Sequence, residues 1–348
     1  MSVVAVTGVA GYLGQRLLSR LEADRQVERV IGVDVSEPVT GSPKLEFHQI
    51  DVRDARLSKR MAGVSTVVHL AFQHDPIRDE ERMGSVNVEG TANLLAAASE
   101  AGVSKIVYPS SSTVYGAHPD NDFPLTEESP LRANEDFAFS RHKLETEDLV
   151  RLFRQEHPGV IVTLFRSAVV FGPGMENFVS RMLEAPRLLT VKGHNPPMQF
   201  VHEDDVASAL AFAVETCLDG VYNLAADGWL SGSEVAALAH RRRVELPEAV
   251  AFSIAERLWR AGLTVSPPGE LHYIMHPWVV DNSKLRAAGW TPQFSNKQAL
   301  LEAMEVHGRW VAIGRARVRK ESAAKGTAVT LGAAAALLAM RRARRSSN

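Results

Sequence analysis

The residues best suited to chemistry stand at the start of the chain, in Val3-Val4-Ala5-Val6-Thr7-Gly8-Val9-Ala10-Gly11-Tyr12-Leu13-Gly14. A β-branched run breaks into glycines spaced three apart and then enters the amphipathic stretch 12–23, which reads as strand, turn and helix. Gly8 permits the tight turn, Gly11 lets backbone approach a pyrophosphate, and Gly14 lets the helix pack closely on the strand. The helix N-terminus opened by Tyr12 and Leu13 favours an anion. A second strand over 29–34 ends in Asp34, twenty residues after Gly14, where a carboxylate accepts hydrogen bonds from the adenosine ribose. An acid there repels a 2′-phosphate, so the pattern favours NAD over NADP.

Other reactive side chains offer weaker patterns. His272 and His276 have the i, i+4 spacing of a metal pair, but there is no intervening Glu, no evident third ligand, and Pro277 follows at once. The expectation is no metal site. His69 lies in an apolar strand and reads as a core residue. Arg241-Arg242-Arg243 could grip a diphosphate, but three adjacent arginines on a helix cannot share one face, so they read as solvated surface.

The elements that must position these groups alternate. Strands are expected at 45–51, 66–71 and 105–108, with helices at about 84–101 and 135–156 and a sixth strand over 160–171 that ends at Gly172-Pro173-Gly174. This βαβ order predicts an α/β fold, a Rossmann-type doubly wound parallel sheet with a smaller C-terminal substrate-binding portion. The expected organisation is a dinucleotide-binding domain over 1–172, a mainly substrate-binding portion over 173–312 with about 200–226 returning to the first domain, and a tail over 313–348.

At 348 residues and a formal charge of −2, the chain has ample material for a globular core. The charge is unevenly placed. Residues 1–314 carry 30 basic and 40 acidic side chains, whereas 315–348 carry nine Lys/Arg and one acid. The acidic body argues against nucleic-acid binding. A lone Cys217 excludes a disulfide framework and fits a reducing cytoplasm, and the first strand follows Met1 without room for a secretory signal.

Taken together, Thr7-Gly8-x-x-Gly11-x-x-Gly14, Asp34, Asp51-Val52, Leu70-Ala71, Asn87, Ser110-Ser111-Ser112-Thr113-Val114-Tyr115-Gly116, Phe171-Gly172-Pro173-Gly174 and His202-Glu203-Asp204-Asp205-Val206-Ala207 fall in one order. In this the chain resembles the extended short-chain dehydrogenase/reductases, the NAD-dependent epimerase/dehydratase family that includes UDP-glucose 4-epimerase, over roughly residues 1–312. The resemblance implies that Asp51 and Val52 flank the adenine, that Leu70 and Ala71 lie along the cofactor with Ala71 toward the nicotinamide, and that Asn87 supports the central helix. It makes Ser111 the serine that hydrogen-bonds the reacting oxygen and Lys143 the lysine that holds the nicotinamide ribose. It further implies a nucleotide-sugar or similar hydroxyl/carbonyl substrate and a homodimer paired through the helices at 84–101 and 135–156.

The sequence departs from that family at one position. The family places a Tyr four residues before the Lys, on one helix face, so that the phenolate can act as general base. Here the run is Phe139-Ser140-Arg141-His142-Lys143, and a phenyl ring moves no proton. Tyr115 is the best substitute among the tyrosines, and Asp136 reads as a capping residue near the helix start. Two functions follow: an epimerase/dehydratase-like enzyme that moves protons through another group, or a catalytically impaired dinucleotide-binding sensor or scaffold. The tail adds a possibility of its own. Residues 326–340 are apolar between basic clusters, but 15 residues make only about 22 Å of helix against roughly 30 Å of bilayer core, so peripheral membrane contact through 326–345 is the form expected.

Overall fold

The computed structural model describes residues 2–320. Six strands occur before Pro173 in the main sheet: β1 (Ser2–Thr7), β2 (Val27–Asp34), β3 (Leu45–Gln49), β4 (Thr66–His69), β5 (Lys105–Ser111) and β6 (Ile161–Ser167). A seventh, Gly220–Leu224, pairs with β6, giving the parallel order β3-β2-β1-β4-β5-β6-seventh. Chain order reverses between β1 and β4. Ligands of such sheets bind outside the carboxyl ends of the strands at that reversal.

Helices cover both faces because the strands are apolar on both. All four residues of β4 are buried. On one face helix α1 (Tyr12–Ala23) presents Gly14, Leu17, Leu18 and Leu21, one turn apart, to Val4, Val6, Val30 and Phe165, together with Val206 and Leu210 of the helix Glu203–Glu215. After the short helix α2 (Leu57–Arg60), the other face is covered by α4 (Gly90–Glu100) and α5 (Ala138–Glu156), whose Leu94, Val150 and Phe153 meet Ile31, Val67 and Ile106. A third apolar cluster builds the C-terminal portion from Phe171, Leu183, Phe200, Tyr273 and Trp278, around the short paired strands Val169–Phe171 and Phe200–His202.

Four local expectations are corrected. The helix expected at 84–101 begins earlier and is interrupted: α3 (Glu80–Gly84), a π-helical turn Ser85–Glu89, then α4. The turn carries Asn87, whose side chain clamps Gln73, and one-turn π bulges of this kind often mark functional positions. The long helix starts at Ala138, with extended Phe137 as its N-cap; Asp136 does not cap it but accepts a hydrogen bond from His272 Nε2 at 3.1 Å. The sixth strand divides at Ala168, where the chain leaves the main sheet to pair with Phe200–His202. Arg242 and Arg243 begin a strand, Arg242–Leu246, paired with Arg187–Val191, and Arg241 donates to the Leu183 carbonyl.

Candidate active site

The β1–α1 turn lies at the sheet reversal and is shaped by what surrounds it. Gly8 has φ +71°, and a Cβ there would stand 2.7 Å from Ala71 N and Leu70 C, so the turn and the end of β4 touch along their backbones. A Cβ at Gly14 would stand 2.7 Å from Val9 Cα, which is how α1 comes so near the strand. Gly11 is the exposed N-cap of α1 and supplies no side-chain cap, so the first N–H groups of Tyr12 and Leu13 have none. Asp34, ending β2, accepts from Ala10 N at 3.0 Å and Ser36 N at 3.1 Å. A turn of uncapped N–H donors beside a fixed carboxylate fits the phosphates and ribose of a dinucleotide.

Further along the carboxyl edge, Asp51 is held by Arg53, whose hydrogen bonds keep its carboxyl below the ordinary range, and buried Val52 packs against Gly90. Leu70 N and Ala71 N both donate to Thr7, to its carbonyl and its hydroxyl. His69 is buried, bonded to Thr7 Oγ1 at 2.7 Å and Thr91 Oγ1 at 3.0 Å, which is a satisfied core histidine.

Ser111 ends β5 half-buried. Its Oγ accepts from Thr113 N at 3.2 Å and Thr113 Oγ1 at 3.0 Å, which leaves its own proton to donate. Lys143 is buried, with Nζ 2.9 Å from the Pro109 carbonyl, 3.4 Å from Tyr108 Oη and 3.7 Å from the centre of the Phe72 ring. Burial pushes this amine down to about 7, against the pull of Glu147. Both residues therefore sit on the β5 edge, Ser111 at its last position and Lys143 against Pro109 two positions earlier.

Phe139, on the same helix, stands in an aromatic nest: ring centres lie 5.8 Å from Phe72, 5.9 Å from His74 and 5.7 Å from Phe137. Tyr115 is not brought to this cleft. It has no exposed surface; its hydroxyl donates to Asn223 Oδ1 at 2.8 Å and accepts from Arg166 at 3.0 Å, and burial pushes the phenol up to about 12. Arg166 in turn forms a buried ion pair with Glu147 at 2.9 Å. The tyrosine is a structural member of that network.

Several contacts of the region escape the sequence patterns. Tyr12 spans from the glycine turn to Gly174, its hydroxyl bonded to Glu203, while Arg16 pairs with Glu203 at 2.7 Å and with Asp204. This ties α1 to the helix Glu203–Glu215 and to the Gly172–Gly174 turn. Phe72 and His74 follow the buried strand β4 and belong to no motif in the sequence. Among the described residues no group of His, Cys, Asp or Glu is arranged to hold a metal, and His272 and His276 lie on and just past a 3₁₀ turn. The tail beyond 320 lies outside the described residues; within them no helix is long and apolar enough to cross a membrane.

Comparison with known proteins agrees with this geometry. Residues 4–225 match the model of the NAD dependent epimerase/dehydratase family. The chain is 31% identical over 328 residues to the Mycobacterium tuberculosis protein Rv0501, covering 91% of this chain and 87% of that one. Among solved structures it is similar to MoeE5 in complex with UDP-glucuronic acid and NAD, with TM-score 0.71 and 23% identity over 88% of this chain and 99% of the other. It is also similar to the Thermotoga maritima UDP-glucose 4-epimerase with UDP-glucose, with TM-score 0.69 and 22% identity over 87% and 98%. The chain, with its seven-stranded parallel sheet and glycine turn at the strand-order reversal, belongs to the NAD-dependent epimerase/dehydratase family.

Proposed function

We propose that this protein is an NAD-dependent enzyme that oxidises or epimerises a hydroxyl-bearing substrate, with a nucleotide-sugar as the substrate class. The observation that carries the reading is that a serine with a free proton and a buried lysine share the carboxyl end of β5, on the same end of the sheet as the glycine turn after β1. Gly8, Gly11, Tyr12, Leu13 and Gly14 receive the pyrophosphate, Asp34 the adenosine ribose, and Asp51 and Val52 the adenine. NAD bound there supplies a hydride acceptor at the nicotinamide. Ser111 donates to the reacting oxygen and orients it, and Lys143 offers its remaining N–H to the nicotinamide ribose. Similar proteins crystallised with UDP-sugars and NAD support both ligand classes. Residue 139, the position of the family's tyrosine, contributes a packing ring and no proton, so proton transfer belongs to another group.

Two partner assignments complete the reading. A homodimer forms through the helices at 84–101 and 135–156, where Leu152 of α5 is exposed, and the basic, apolar tail touches anionic membrane from the side. The functional reading is tested by purifying the full chain, measuring its bound dinucleotide, and following nicotinamide absorbance as nucleotide-sugars are added. Substrate-dependent reduction is expected; dinucleotide binding with no reduction by any of them would contradict it. For the tail, flotation with anionic vesicles should capture the full chain and release a chain ending at Gly314.

A further inference from the structure

If residue 139 carries no proton, some other group at the cleft must, and the neighbouring titratable side chains can be taken in turn. Tyr115 is enclosed between Asn223 and Arg166. Tyr108 is buried against Thr146, and Tyr273 is buried with its hydroxyl on the Thr113 carbonyl and Ser140. Both nitrogens of His69 are engaged. Asp136 is paired with His272. His142 is half-engaged, with Nδ1 3.5 Å from the Asn87 amide in the π-helical turn.

His74 is different. It is exposed, its ring lies 5.9 Å from Phe139 and 5.4 Å from Phe72, and among the described residues neither ring nitrogen has a hydrogen-bond partner. It is also held in place. The Asn87 side chain accepts from Gln73 N at 2.6 Å and donates to the Gln73 carbonyl at 3.2 Å, fixing the backbone between the two rings that flank Phe139. A side chain held by a clamped backbone is pre-organised for proton transfer in a way that a free surface histidine is not.

We propose that His74 is the catalytic proton carrier of this site, in place of the phenol that residue 139 lacks. The proposal rests on the functional reading above. In the oxidative step the substrate O–H bond breaks with its proton passing to an imidazole nitrogen of His74. NAD, when bound, would take the C–H electron pair as hydride while the C–O bond becomes the carbonyl. In the return step the imidazolium gives the proton back as hydride returns to carbon. A neutral imidazole accepts a proton at its unprotonated nitrogen and the imidazolium returns it, so one side chain serves both directions. Although the residue keeps exposed surface, desolvation by the neighbouring rings, and then the Lys143 ammonium, push this imidazole down to about 3, so the neutral form is the resting one and the imidazolium is a strong proton donor.

The test compares the full-length wild type with His74→Gln, Phe139→Tyr and the double variant, using nicotinamide absorbance with UDP-glucose, UDP-galactose, UDP-glucuronic acid and dTDP-glucose. The expected result is reduction in the wild type, a fall of about 10²- to 10⁴-fold in kcat with little change in KM for His74→Gln, and recovery in the double variant. Reduction in the wild type that survives His74→Gln overturns the proposal alone, as does a loss that persists in the double variant. Reduction only in Phe139→Tyr also overturns it alone, because then nothing replaces the phenol. No reduction in any form contradicts the functional reading and takes the proposal with it. A readout free of turnover is the imidazole NMR titration of His74, assigned by its disappearance in His74→Gln. Its midpoint should shift when Phe139→Tyr places a hydroxyl in the nest, and an unmoved midpoint overturns the proposal.

Discussion

The two halves of the cleft are made of different material. The dinucleotide half, from Gly8 to Asp34, is built from backbone: a left-handed glycine, a helix N-terminus without a side-chain cap, and amides that grip the one carboxylate. The reacting half is built from side chains: Ser111, Lys143 and the rings of Phe72, His74, Phe137 and Phe139. Backbone recognition survives many substitutions because few side chains enter it, whereas one side chain decides proton transfer. On the proposed reading, a single Phe at position 139 leaves the first half whole and redirects the second.

The largest expected effect lies beneath both halves. Glu147→Gln leaves Arg166 buried without its counter-charge, which should cost about 3–5 kcal/mol of stability and lower Tm sharply in thermal unfolding. Because the Tyr115 hydroxyl rests on the same guanidinium, Tyr115→Phe should lose only about 1 kcal/mol, with any catalytic effect following from stability. Gly14→Val acts on the dinucleotide half alone. Its branched side chain would overlap Val9, costing about 1–3 kcal/mol and abolishing cofactor retention as read by bound nucleotide per chain.

Asp34→Ser sharpens the same half more gently. It removes a charged acceptor, so NAD affinity measured by calorimetry should fall about tenfold while NADP affinity rises relative to it. A further test concerns pH and the reacting half. Lys143 has its pKa lowered to about 7 on folding, below its unfolded value near 10.4, so the unfolded chain binds more protons between these limits. Stability contributed by this site therefore rises from about pH 7 toward 10, and the rise should vanish in Lys143→Met when urea midpoints are compared across that range.

How much of this could be read from the sequence follows the same division. The glycine turn, Asp34 and the buried strands are legible because each is a local pattern with a fixed period or spacing: β4 is apolar throughout, and α1 repeats its buried residues at helical intervals. The reacting half depends on long-range contacts that no local pattern encodes. Tyr115 sits in a family-like motif, yet its direction is set by Asn223 and Arg166, 108 and 51 residues away. Asp136 looks like a helix cap until His272, 136 residues on, takes its carboxylate. The three arginines at 241–243 lack any alternation, and only the partner strand Arg187–Val191 draws Arg242 and Arg243 into a strand. His74 follows the same rule, since its value comes from Phe139 across the cleft and from Asn87 in a π-helical turn that periodicity alone reads as ordinary helix.

The most direct measurement is calorimetric titration of the full-length chain, stripped of nucleotide, with NAD, alongside Phe139→Tyr and Gly14→Val. If dinucleotide binding is a backbone property separate from residue 139, the wild type and Phe139→Tyr bind one NAD per chain with affinities within about threefold of each other, and Gly14→Val binds none. A wild type that binds no NAD, or a Phe139→Tyr variant that gains binding the wild type lacks, would contradict the separation of the two halves.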